Sequence, residues 1–113
     1  LRKPCGVMQD YSSASAYALS LRHNLPYKSV KINSSSGRWG SCSARGNINL
    51  SYFLVLLPKH LIDYVLLHEL AHTREMNHGE RFWALLDGMT DGKAQLLRSE
   101  LRSIRQTSET GRL

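Results

Sequence analysis

The sequence lacks several features that would point to a membrane, secreted or cysteine-rich protein. Only two cysteines, Cys5 and Cys42, occur in 113 residues, and they lie far apart, outside any CxxC pattern. Neither a disulfide framework nor a cysteine zinc finger is therefore indicated, and a cytoplasmic location is expected. No apolar run is long enough for a membrane span or a signal peptide, and the first residue is leucine. We expect a soluble fragment or processed chain.

Acidic residues are also in the minority. The chain has 9 aspartates and glutamates against 15 lysines and arginines, which gives a formal net charge of +6. Such a charge favours contact with DNA or another polyanion, although charge alone does not establish a partner. The basic residues are scattered, apart from Arg98, Arg102 and Arg105, whose spacing places them on one helical face. We interpret this face as a solvated helix surface.

The pattern of apolar residues divides the chain into helices and strands. Hydrophobic residues make up 42% of the chain, enough for one modest core, so residues 1–113 are predicted to form one domain with flexible ends at 1–10 and 106–113. Helical spacing predicts four helices, at residues 12–24, 59–76, 79–88 and 91–105. Alternation and turn residues predict three strands, at residues 28–35, 38–43 and 47–51. The prediction is an α+β fold with a small three-stranded, mostly antiparallel sheet.

The helix at 59–76 contains the residues with the clearest chemistry. Its apolar residues cover most of its circumference, which indicates a buried helix in which polar side chains need a partner. His68 and His72 lie one turn apart on the same face, so both imidazoles can bind one metal ion. Glu69 lies roughly 100° around the helix from His68, better placed to reach a metal-bound water than to bind the metal. It is therefore a candidate general base.

A third metal ligand is predicted at His78. In an unbroken helix, His78 would lie about 9 Å along the axis and about 240° around it from His72, too far for a shared metal. The chain must therefore leave the helix, and we predict that it does so near Met76. Asn77 and Gly79 tolerate the left-handed conformation that such an exit often uses. Three histidines with a fourth position for water are typical of catalytic Zn²⁺.

These motifs, in this order and spacing, resemble the YgjP-like metallopeptidase family, a group of minimal zincins related to the SprT-like and WLM families. The resemblance covers roughly residues 27–90. The stretches that carry it are RWGSCS at 38–43, GNIN at 46–49, IDYV at 62–65, HELAH at 68–72 and NHGERFW at 77–83.

The resemblance implies a zincin-like core in which His68, His72 and His78 bind zinc and Glu69 is the general base in peptide-bond hydrolysis. Proteins or peptides would be the substrates, and the chain would correspond to the C-terminal catalytic part of longer relatives. Related SprT-like and WLM members act on proteins crosslinked to DNA, which implies a possible association with DNA. The resemblance implies no membrane association and leaves the oligomeric state open.

Three alternatives compete with this interpretation. The spacing of the three histidines equals that of metzincins, but Glu75 occupies the glycine position of their motif. Cys42 could instead complete a structural zinc site in a binding module. The chain could also be a basic DNA-binding domain with a vestigial metal site, although decay gives no reason to keep Glu69.

Two supporting roles stay open in the sequence. The group that stabilises the oxyanion has four candidates, Tyr52, Tyr64, Arg38 and Arg74. The group that orients the imidazoles has three, Glu75, Glu80 and Asp87. We also predict that Phe82 and Trp83 pack against the histidine helix and hold His78 in place.

Overall fold

The computed structural model of the chain describes residues 4–34 and 37–107, with side chains described from residue 9 to residue 104. Four α-helices and three strands occur in this part of the chain. In chain order they are α1 (Pro4–His23), β1 (Ser29–Asn33), β2 (Gly40–Cys42), β3 (Asn47–Ser51), α2 (Lys59–Ala71), α3 (Glu80–Met89) and α4 (Ala94–Thr107), with a 3₁₀ helix at Tyr52–Leu56 between β3 and α2.

The three strands form one mixed sheet in the order β1-β3-β2. The predicted hairpin is present, because β2 pairs antiparallel with β3, with Cys42 opposite Ile48. β1 pairs parallel with β3, with Val30 opposite Ile48, so the expectation of a mostly antiparallel sheet was wrong for this pair. The chain reverses direction after β1 and again after β2, so β3 enters between them running the same way as β1. β2 is left as an edge strand.

Helix α2 lies at the centre of the core. It packs against α1, α3, α4 and β2, and Leu61, Leu66 and Leu70 have no exposed surface. The buried side chains of β3, Ile48 and Leu50, belong to the same core. The prediction of a buried helix is therefore confirmed. None of the described helices is both long and apolar enough to cross a bilayer.

Helix α1 begins at Pro4, earlier than the predicted start at residue 12. Proline suits a first helical turn, because its missing N–H has no partner there. The Gln9 side chain ties this early segment to β1: its Nε2 donates to the Val30 carbonyl at 2.8 Å, and the Ile32 N–H donates to its Oε1 at 3.0 Å. These bonds also cover polar groups at the edge of the sheet. Of the ends predicted to be flexible, residues 4–10 and 106–107 are helical, and residues 1–3 and 108–113 lie outside the described residues.

The hairpin turn supplies a test of the fold. Gly46 has φ +88°, and a Cβ there would lie 3.2 Å from the Lys28 backbone nitrogen. We expect Gly46→Ala to lower the free energy of unfolding by about 1–2 kcal/mol, because an L side chain is strained in this conformation. Gly88, in α3, has open space around its Cα, so Gly88→Ala should raise that free energy by about 0.5–1 kcal/mol. Urea unfolding followed by tryptophan fluorescence measures both, and effects of the same sign would contradict this account of the turn.

Candidate metal centre and active site

Three histidine nitrogens converge at the C-terminal end of α2. His78 Nε2 lies 3.2 Å from His68 Nε2 and 3.1 Å from His72 Nε2. All three ligand atoms lie within 4.8 Å of one another. The structure therefore brings together the three histidines that the sequence predicted to form a site.

The spacing of these nitrogens fits a metal ion. Ligands about 2.0–2.1 Å from a tetrahedral zinc lie about 3.3–3.4 Å apart, close to the observed separations. Hydrogen bonds alone cannot satisfy the cluster, since an Nε2 proton on His78 can be donated fully to only one of its two neighbours. A cation would accept lone pairs from all three rings at once.

The backbone leaves α2 earlier than predicted. The helix ends at Ala71, not near Met76, and His72 is the C-cap residue. The Thr73 hydroxyl donates to the Leu70 carbonyl at 2.7 Å, and the chain turns through residues 72–74. Side-chain bonds of this kind compete with continued helix, and hydrophobic periodicity does not reveal them. The early exit returns the chain to the helix face that carries His68 and His72.

The exit does not use the left-handed residues that we expected. Positive φ angles in the described residues occur at Asn24, Gly46, Asp91 and Gly92, and Gly79 has φ −92°. Gly79 instead precedes α3 in an extended conformation as its N-cap. The turn therefore depends on its hydrogen bonds and not on glycine.

A backbone carbonyl orients one imidazole. His72 Nδ1 lies 3.1 Å from the Glu75 carbonyl oxygen, and donation by Nδ1–H leaves the Nε2 lone pair facing the cluster. Glu75 was among the predicted orienting residues, and it acts through its main chain. Asp87 instead accepts from the Ala94 N–H at 3.1 Å, and Glu80 is exposed at the start of α3.

Two aromatic residues of α3 pack against the histidines, as predicted. Phe82 is fully buried, and its ring centroid lies 4.5 Å from His72 and 4.9 Å from both His68 and His78. The Trp83 centroid lies 6.2 Å from His68 and from His78. These contacts restrict the orientations of the three imidazoles, so the rings are held in place before a metal binds.

Burial sets the charge state of the candidate site. The pKa of His68 is lowered to about 3, first by burial and then by the neighbouring imidazoles. Burial also lowers the pKa of His72. Glu69 is 6% exposed, and burial raises its pKa to about 7, against an opposing effect of the Arg38 charge. Burial thus favours the neutral form of His68 and His72, the form that binds a metal, and the Glu69 carboxyl group titrates near neutrality.

Strand β2 passes close to Glu69 because it contains a glycine. A Cβ at Gly40 would lie 3.3 Å from Glu69 Cγ and 3.1 Å from the Asn49 carbonyl oxygen. Any side chain here would push the strand or the carboxylate aside. The glycine of the RWGSCS stretch therefore allows the sheet edge to approach the candidate general base.

Two cavities, each of about 250 Å³, meet at the metal centre. Both are lined by Gly40, His68 and Glu69. The first continues towards α4, and the second follows β2 to His72 and His78. Together they form a cleft that crosses the candidate site and has room for a substrate on either side of it.

The four residues predicted as candidates for oxyanion stabilisation differ in their position relative to the cleft. Tyr64 lines the first cavity and Arg38 the second. Arg74 instead donates to the Asn24 carbonyl at 2.7 Å, and the Tyr52 ring stacks on Phe53 with centroids 4.5 Å apart. Two of the four predicted groups are thus at the cleft.

Cys42 lines the second cavity but is not part of the histidine group. Its Sγ donates to the Ser43 carbonyl at 3.4 Å. The pKa of this thiol is raised to about 11 by burial and by Glu69, so it is a weak candidate for a metal-binding thiolate. This arrangement disfavours a closed four-ligand site.

Two residues at the cleft were missed in the sequence. Arg98 and Arg102 are exposed, as expected of a solvated helix face, but they also line the first cavity beside His68 and Glu69. Nothing in the periodicity of α4 shows that this face lies over the end of α2. The only available signal was the absence of acidic partners at helical spacing from both arginines.

The buried carboxyl group yields a stability prediction for the metal-free protein. Between its ordinary pKa of 4.5 and about 7, Glu69 keeps its proton in the folded state and loses it in the unfolded chain, so the free energy of unfolding falls as pH rises. Glu69→Gln removes this titration. We compare the free energy of unfolding of the variant with that of the parent at two pH values. The variant's value, relative to the parent's, should be about 1–3 kcal/mol higher at pH 8 than at pH 4. Urea unfolding in the presence of a chelator tests this, and a pH-independent difference would contradict it.

Comparison with known proteins identifies the family. The sequence matches the YgjP-like family, described as a metallopeptidase domain, over residues 7–104. No curated protein matches the chain in sequence. The fold resembles the metallopeptidase zymogen of Pyrococcus abyssi abylysin, with a TM-score of 0.74, 20% identity and coverage of 84% of this chain and 95% of that one. It also resembles the metallopeptidase zymogen of Methanocaldococcus jannaschii jannalysin, with a TM-score of 0.61, 20% identity and coverage of 80% and 96%. Because the family match spans most of its length, this chain belongs to the YgjP-like metallopeptidase family.

Proposed function

We propose that this protein is a zinc-dependent peptidase in which His68, His72 and His78 hold the metal and Glu69 is the general base. The observation that carries the proposal is the convergence of three Nε2 atoms beside a buried carboxyl group in an open cleft. When bound by three histidines, zinc lowers the pKa of a water molecule and polarises a carbonyl group.

Glu69 performs the proton transfers in this proposal. It removes a proton from the attacking water as the oxygen–carbon bond forms, and it delivers that proton to the leaving amine nitrogen as the carbon–nitrogen bond breaks. Burial raises the pKa of this carboxyl group in the metal-free protein, which favours proton uptake, and a group with this role must accept and release a proton near neutral pH. Tyr64 and Arg38, on the two sides of the cleft, are the candidates for stabilising the oxyanion.

The position of strand β2 favours a protein or peptide as the substrate. It is one of the two edge strands of the sheet, and Gly40, Ser41 and Cys42 line the cleft beside the histidines. An extended peptide can pair with such an edge through main-chain hydrogen bonds, which require no particular sequence. We propose that the substrate chain lies along β2 and crosses the metal centre.

The alternatives to a catalytic zinc site fare differently. A structural zinc site is disfavoured by the position of Cys42, outside the histidine group. Association with DNA and a cytoplasmic location stay predictions. Adding single-stranded DNA to a hydrolysis assay can test whether DNA associates with the protein and changes its activity.

The proposed function is tested by replacing Glu69. We expect Glu69→Gln to lower hydrolysis of an unfolded protein by at least about 100-fold, because general acid–base catalysis typically contributes that much. Zinc stoichiometry, measured on the same samples, should stay at that of the parent. Glu80→Gln, an equal change of charge at an exposed position, is the matched control and should retain activity. Full activity in Glu69→Gln would end the proposal.

A further inference from the structure

The first cavity has an apolar base and a basic rim. Trp39, Val65 and Leu101 supply apolar surface, and Arg98 and Arg102 supply two guanidinium groups. The cavity opens on His68 and Glu69. A group that fills it would therefore combine an aliphatic stem with a negatively charged end, and it would lie next to the bond under attack.

The described part of the chain offers no acidic partner to the two arginines. In residues 4–34 and 37–107, neither guanidinium forms an ion pair. Glu100, the acidic residue between them on α4, instead meets His60 of α2, with Oε2 and Nε2 2.9 Å apart. Arg98 is positioned by Trp83, since its guanidinium carbon lies 5.6 Å from the ring centroid. Two exposed guanidinium groups thus line the cavity, and one of them is held by an aromatic ring.

The wall of the same cavity contains an unsatisfied donor. Tyr64 lines the cavity and is 2% exposed, and its hydroxyl has no hydrogen-bond partner in the described part of the chain. A buried hydroxyl without a hydrogen-bond partner is unfavourable. A hydroxyl group without an acceptor therefore lies in the wall of this cavity.

We propose that this cavity is a carboxylate-binding subsite, which makes the protein prefer peptides with an acidic group beside the scissile bond. Guanidinium groups pair with carboxylates through parallel hydrogen bonds, and the apolar base suits the methylene groups of glutamate. The carboxylate could come from a glutamate side chain or from the C-terminus of a peptide, and both have the same chemistry. The inference rests on the proposed function, because it assigns a substrate preference to the same site.

Binding without turnover tests the subsite directly. In the zinc-loaded Glu69→Gln background, we would titrate blocked tetrapeptide amides that differ only by Glu, Gln or Lys at one position, by isothermal calorimetry. The Glu peptide should bind roughly tenfold more tightly than the Gln peptide, because a charge-assisted pair contributes about that much. Adding Arg102→Gln should remove the advantage, and Arg98→Lys, which keeps the charge but not the paired donors, should reduce it.

A matched variant controls for net charge. Arg45 lies in the hairpin turn, outside this cavity, so Arg45→Gln should leave the advantage of the Glu peptide unchanged. The Gln peptide with a free C-terminal carboxylate distinguishes the two sources of the carboxylate. If it binds more tightly than the Gln peptide amide, and Arg102→Gln removes this difference, the subsite is supported with the chain end as its ligand. Equal binding of the Glu, Gln and Lys peptides, with no gain from a free C-terminus, would overturn the inference. An advantage that survives Arg102→Gln would also overturn it, because carboxylate binding would then not depend on this guanidinium group.

Turnover by the parent protein separates this inference from the proposed function. We expect kcat/KM to favour the Glu peptide over the Gln peptide by a similar factor. Hydrolysis without any such preference, together with equal binding, would overturn the subsite alone. No hydrolysis of any peptide, with carboxylate binding still dependent on Arg102, would leave the subsite standing and would contradict the proposed function.

Discussion

The meeting of three imidazole rings depends on the point at which the backbone leaves α2. Two histidines one turn apart follow directly from helix geometry, whereas His78 can join them only if the helix ends early. The bond from Thr73 to the Leu70 carbonyl accompanies that ending, and Phe82 then contacts all three rings from α3. A helix that continued to Met76 would carry His78 away, and the cluster would lose its third nitrogen.

The same burial that organises the rings also prepares their chemistry. An apolar helix disfavours charged imidazoles and a charged carboxyl group alike, so it lowers the pKa of His68 and raises that of Glu69. The first shift keeps the nitrogens ready for a cation, and the second places a proton acceptor near neutrality. The ionised carboxylate is unfavourable in the metal-free fold. The buried Glu69 carboxylate therefore lowers the stability of the metal-free fold, at the residue that the proposed reaction needs.

Local sequence patterns predicted much of this molecule, but they did not predict its long-range arrangements. The pairing of His68 with His72, the buried character of α2 and the packing of Phe82 and Trp83 all follow from spacing within a few turns of helix. The parallel pairing of β1 with β3 was missed because alternation shows which face of a strand is buried, not which strand lies beside it. The early start of α1 was missed because Gln9 finds its partners more than 20 residues away. The position of Arg98 and Arg102 at the cleft was missed because only the packing of α4 against α2 brings these exposed residues there.

We propose that three histidines bind a zinc ion that keeps a fourth position for water. An X-ray absorption spectrum at the zinc edge, recorded with one equivalent of zinc on the chain, tests it most directly. We predict three imidazole nitrogens and one further light ligand at about 2.0–2.1 Å, with no sulfur. A sulfur ligand at about 2.3 Å, which would place Cys42 on the metal, or a spectrum with fewer than three imidazoles would contradict the account.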